Sequence, residues 1–379
     1  MRTEVSNLGV LPIEAFDAGL DSHHAALASE SSGLLAGVAQ RLDESLSTPG
    51  DISAELSSAA EALRTTIRDV AAPTRIAAEL RQVLDPIALG IDDPEAFNAL
   101  VGVFERYDVY FGTKRLMDPD AQSMLVQTLE TASVVLADIA CCMMESNEIR
   151  SVVDGFAAVT ESLCDRVSAD SPVAQSVQPS AAAPESDLKS TVLRRWRLGH
   201  HAFNLFTTFA TRELRLAYAS EDEEQAIRHL HLATRCLRAT TSAMWYAEAS
   251  PRNVYANWIR PSMVEASGKD SGFSGTDNLE FRWFRFAEDA LMSSLTARFD
   301  GVEVWSNGLY AAVWGFVETR HLDLEHHALL AEKVVGQEPS LLAIRRQEQS
   351  TRNSSTVVSA VQALRMLTKR VIDVKAELQ

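Results

Sequence analysis

Cysteine, long apolar runs and strand-like alternation are all scarce in this 379-residue chain. Its four cysteines, Cys141, Cys142, Cys164 and Cys236, form no C-x-x-C pair, and the adjacent Cys141 and Cys142 are poorly disposed to bridge. That excludes a disulfide framework and a thioredoxin-like redox motif. No uninterrupted apolar run reaches the roughly 20 residues that span a bilayer. The opening MRTEVSNLGVLPIEAF carries acids where a signal peptide carries an apolar core. The expected home is a reducing cytoplasm. Basic residues are sparse in the first half: residues 1–185 hold 11 Lys+Arg against 29 Asp+Glu, and the remainder holds 24 against 23. The net charge of −17 therefore arises N-terminally. It argues against nucleic acid and against anionic membranes as partners.

Catalytic signatures are missing as well. There is no G-x-S-x-G elbow, no P-loop and no G-x-G-x-x-G. Nine histidines are present, yet no H-x-x-x-H places two imidazoles one helical turn apart, and Asp323-x-x-His326 is a single imperfect metal-type pattern. What this leaves open is a metal that needs one protein ligand, and haem is the usual case.

What the chain does have is helical periodicity. ISAELSSAAEALRTTIRDVAA and DAQSMLVQTLETASVVLADIACCMM repeat apolar residues at three-to-four spacing, and only DGVEVWSNG is ambiguous with strand. The expected fold class is all-α. A Ser/Pro/Ala-rich stretch at 168–188 reads as a linker between an acidic helical region, 1–167, and a more aromatic helical domain, 189–379. All six tryptophans follow the linker, so the chemistry is expected there too.

Three stretches in that half invite a function. In EHHALLAEKVVGQEPS, His327 shares a helix face with Leu324, Leu330, Ala331 and Val334, while His326 sits nearer the rim. An inward imidazole beside Ala328 and Ala331 leaves room for a flat macrocycle; the plain alternative is a core histidine bonded to a carbonyl. RRWRLGHHAFNLF carries His200 and His201 beside Trp196, Phe203 and Phe206, either lining a pocket or reaching solvent. The third runs from Ser250 across Pro261 into a Gly/Ser/Asp loop of some fifteen residues, either functional or a plain connection.

Together these stretches resemble a known group. HALLAEKVVG, with Gly336 nine residues after His327, is similar to the proximal haem helix of tryptophan 2,3-dioxygenases. STRNSST at 350–356 resembles the loop those enzymes carry over the substrate, with Thr351, Ser354 and Ser355 matching and Arg352 and Asn353 replacing glycines. SGFSGTDNLEFR resembles the segment whose arginine holds the substrate carboxylate. That role would fall to Arg282, with Arg285 competing. Over residues 190–370 the likeness is closer to the 3-methyltyrosine hydroxylases of saframycin-type biosynthesis, through LRRWRLGHHAF, ANWIRP, VGQEPSLLA and QSTR. Both groups belong to the haem-dependent aromatic oxygenase superfamily.

The resemblance implies an oxidoreductase that uses dioxygen or hydrogen peroxide to hydroxylate or otherwise oxidise a tyrosine- or tryptophan-like amino acid. His327 would be the axial ligand to haem iron, and His201 or His200 the distal base. Arg282 or Arg285, with Thr351, Ser354 and Ser355, would bind the substrate. The hydroxylases tether haem through a cysteine four residues after the axial histidine; Ala331 stands there in this chain, which implies non-covalent haem b. Homo-oligomers are implied as well. Indole ring cleavage and a haem-free helical binding or structural module remain the alternatives.

Overall fold

The computed structural model describes residues 8–9, 22–44, 49–69, 80, 84, 91–115, 121–164, 187–250, 252–268, 272–273, 275–299 and 307–334. These residues form α1 (Ser22–Glu44), α2 (Pro49–Asp69), α3 (Pro94–Phe111), α4 (Ala121–Ile139), α5 (Ser146–Cys164), α6 (Leu188–Ala219), α7 (Glu223–Ala247), α8 (Arg260–Ser267), α9 (Leu279–Phe299) and α10 (Asn307–Val334). The fold is all-α, and the one strand pairing among the described residues is two residues long, Leu8–Gly9 beside Thr113–Lys114.

The helices begin where short polar residues can satisfy orphan amides. Asp93 caps α3 by accepting from the Glu95 amide, ahead of Pro94. Asp187 accepts from the amides of Lys189 and Ser190 at the start of α6, and Asp222 does the same for Glu224 in α7. Gly112, at φ 72°, ends α3 in the left-handed conformation that glycine adopts at least cost.

Packing is organised around α7, which lies against α5, α6 and α10, while α1 pairs with α5, α2 with α4, and α9 with α6. Two crossings require glycine. A Cβ on Gly155 of α5 would stand 2.2 Å from the Ala239 Cβ of α7, and one on Gly199 of α6 would stand 2.4 Å from that of Ala247. The helix backbones thus touch where side chains would hold them apart. One apolar core continues from Ala28 in α1 to Leu324 in α10, so helices on both sides of the expected linker share it. Residues 168–186 of that linker lie outside the described residues.

The passage after Ser250 is more helical than its composition predicts. Residues Tyr255–Ile259 form a π turn, with the Arg260 amide donating to the Tyr255 carbonyl. Pro261 explains it: with no N–H to give to the carbonyl four residues back, the ladder is already broken there. The helix then continues to Ser267 and stops at Gly268, φ 66°. A short 3₁₀ turn, Gly275–Asp277, leads into α9.

Candidate functional site

The two histidines of α6 are buried, at 8 % and 1 % exposure for His200 and His201. Neither reaches solvent. His201 sends Nε2 to the Phe111 carbonyl, one of the carbonyls that α3 leaves without a helical partner when it breaks at Gly112. A carbonyl only accepts, so Nε2 carries the proton and Nδ1 is an acceptor, buried with no hydrogen-bond partner. His200 donates from Nδ1 to the Trp196 carbonyl at 2.8 Å, which leaves Nε2 as its acceptor. Its ring lies between Phe111 at 4.2 Å and Trp196 at 4.3 Å. Burial pushes His200 down to about 3, with His201 and His327 nearby adding to the effect; burial likewise pushes His201 down to about 4. Both rings are neutral at ordinary pH.

His327 sits on α10, half-buried, with His326 exposed beside it and Ala328 buried. Its Nδ1 faces Oδ1 of Asp323, one turn back, at 3.6 Å. Burial alone would raise the Asp323 carboxyl. The opposing pull of His327, Arg320 and Thr241 holds it at about 2, so it is a carboxylate. Asp323 is the end of a chain of buried charges: Arg285 Nη1 meets Glu288 Oε2 at 3.0 Å, Glu288 Oε1 accepts from Arg320 Nε at 2.7 Å, and Arg320 Nη1 donates to Asp323 Oδ2. The Arg320 guanidinium lies over the rings of Phe281 and Phe284, 5.8 and 5.4 Å from their centroids. The alternating partners offset one another, which lets Glu288, Arg320 and Asp323 lie buried beside half-buried Arg285.

Arg282, on the same helix as Arg285, is half-buried and holds its guanidinium 5.8 Å from the Phe286 ring. Burial lowers the tendency of Arg282 to stay charged. Glu280 does not lie beside it at the surface; it turns inward to a second buried cluster with Arg115 and Asp108. Asn278, capping α9 through the Phe281 amide, donates to Tyr107 Oη at 2.8 Å and to Asn204 Oδ1 at 2.6 Å, which ties α9 to α3 and α6.

The structure thus brings His200 near His327 and joins Arg285 to the His327 network. Trp196, Phe203 and Trp283 fall in three separate apolar clusters. Thr351, Ser354, Ser355 and Gly336 lie outside the described residues, as does the side chain of Ala331. Asp323, Arg320, Glu288 and Thr241 were not singled out as partners of His327. The i,i+4 spacing of Asp323 and His327 was readable, whereas the approach of Glu288 and Thr241 from other helices was not.

Chemically, the joint offers one imidazole backed by a carboxylate, a second, neutral imidazole near it, and arginines on α9. Among the described residues no group of three or more His, Cys, Asp or Glu converges as a metal cage. Fold and joint together define an all-helical protein with a half-buried, charge-backed histidine site. The comparisons make it particular. Residues 24–303 match the sequence model of SfmD 3-methyl-L-tyrosine peroxygenase, and the chain belongs to that family. The match ends before His327 and Thr351. A solved structure of reduced SfmD, soaked with sodium hydrosulfite, is similar at 22% identity over 84% of this chain and 96% of that one, with a TM-score of 0.47. No curated protein matches. The expectation of an oxidoreductase for aromatic amino acids agrees with the family found.

Proposed function

We propose that this chain is a haem-dependent peroxygenase that hydroxylates the ring of a tyrosine-like amino acid, with His327 as the axial ligand of non-covalent haem b. The observation that carries it is the orientation of His327. An imidazole that ligates a metal gives its other nitrogen to a carboxylate or carbonyl, and Nδ1 of His327 faces Asp323, leaving Nε2 as the donor atom. Buried Ala328 beside it keeps the helix surface shallow. Ala331 at the tether position supports haem held without a thioether.

The overall change is ring C–H plus hydrogen peroxide giving ring C–OH plus water. Haem, when bound, supplies the redox iron that activates the peroxide. The protein's own part is binding, orientation and proton placement. Arg282 or Arg285, both on α9, would supply a bidentate grip on the substrate carboxylate, Arg285 while also meeting Glu288. Thr351, with Ser354 and Ser355, is assigned to the ammonium end by resemblance. Each ring of the α6 pair gives its proton to a backbone carbonyl and keeps one acceptor nitrogen; His200 is the better distal group because it is the one that His327 influences. With its basicity lowered to about 3, His200 orients a hydroxyl by accepting its hydrogen bond and does not hold the proton at neutral pH. Self-association accompanies this reading and is checked by sedimentation velocity.

The test is the optical spectrum of purified and haem-reconstituted protein beside His327→Ala, followed by acidic organic extraction. A Soret band in the wild type, lost or shifted in the variant, with fully extractable pigment, is the expected result. A wild type that stays colourless after reconstitution overturns the proposal in favour of a haem-free helical module.

A further inference from the structure

Asp323 is 3 % exposed, yet both its oxygens are engaged. Oδ2 takes the Arg320 guanidinium, and Oδ1 takes the hydroxyl of Thr241 from α7 while facing Nδ1 of His327 at 3.6 Å. A buried carboxylate oxygen needs a donor, and Oδ1 draws its donor from a different helix. Four buried threonines elsewhere in these helices turn their hydroxyls back to their own helix: Thr131 to the Gln127 carbonyl, Thr208 to Asn204, Thr211 to Thr207 and Thr234 to Leu230. Thr240, next door, does the same to Leu237. Thr241 instead reaches across to α10. With Arg320 anchored to Glu288 on α9, the carboxylate is fixed from two other helices and cannot rotate away from the imidazole.

We propose that Asp323 is a positioning residue for His327, held by Thr241 and by the Arg285–Glu288–Arg320 chain so that its Oδ1 accepts the Nδ1–H and fixes the ring's tautomer and angle. This rests on His327 as the axial ligand. A carboxylate accepting Nδ1–H makes the imidazole a stronger electron donor at Nε2, and a stronger donor favours the more highly charged ferric iron. Asparagine at 323 keeps the shape and removes the charge. Valine at 241 keeps the shape of threonine and removes the hydroxyl that aims Oδ1.

The experiment is spectroelectrochemical titration of haem-loaded wild type, Asp323→Asn and Thr241→Val, with circular dichroism as the check on folding. The expected result is a ferric/ferrous midpoint potential that moves positive in both variants, further in Asp323→Asn. Haem-loaded variants with the wild-type potential overturn the proposal. If Asp323→Asn does not fold, Thr241→Val decides alone, an unmoved potential overturning it. A wild type that binds no haem removes the functional reading itself, a result plainly different from an unmoved potential.

Discussion

The packing of α1 on α5 and the place where α9 side chains reach α10 bury opposite things. Between α1 and α5 the interior is Leu35, Val38, Val152, Val153 and Phe156, with Gly155 letting α7 approach α5 closely. Across α9 and α10 the interior holds Glu288, Arg320 and Asp323 among the phenylalanines. Apolar burial contributes roughly 1.5–3 kcal/mol per large side chain whatever the exact geometry. A buried ion chain is stable only when every member is present, and replacing it by apolar residues is often neutral or better. The charges of α9 and α10 end beside the imidazole of His327.

The largest way to break the contrast is Arg320→Leu, which leaves Glu288 and Asp323 buried without their shared cation. A loss of about 3–5 kcal/mol is expected, measured as the urea midpoint. A comparable substitution in the apolar pair, Leu35→Ala, costs about 2–5 kcal/mol through its cavity but leaves any haem spectrum intact, and the spectrum separates the two.

Acid comes next. His200 and His201 are neutral when folded, with values near 3 and 4, and would charge near 6.5 when unfolded. The unfolded chain therefore binds more protons in between, so stability is complete above about pH 6.5 and falls as pH drops toward 4. The share of His201 is on the order of 3 kcal/mol. His201→Gln flattens the slope of stability against pH in that window; an unchanged slope would contradict its burial as the neutral ring.

Smaller still is Gly155→Ala, which sets a methyl against Ala239 and forces α5 and α7 apart at a cost of about 1–3 kcal/mol. Least is Arg41→Ala at the exposed pair with Glu55, where less than about 1 kcal/mol is expected by thermal melting.

Helices in ISAELSSAAEALRTTIRDVAA and DAQSMLVQTLETASVVLADIACCMM were readable from three-to-four periodicity, and the structure sets them at Pro49–Asp69 and Ala121–Ile139. The inward turn of His327 and the outward turn of His326 were equally readable, because a helix face is a property of spacing alone. The histidine spacings also left a metal with one imidazole ligand as the compatible kind. The sequence could not show that His201 would spend itself on the end of α3, since that depends on where Gly112 halts a helix 90 residues away. Nor could it show which groups reach Asp323 and Arg320 on α10 from elsewhere: Thr241 comes from α7 and Glu288 from α9. Periodicity is encoded within a helix, whereas the partner of a buried charge is set by which helices meet and at what depth, and that was decided only when the chain closed around α7.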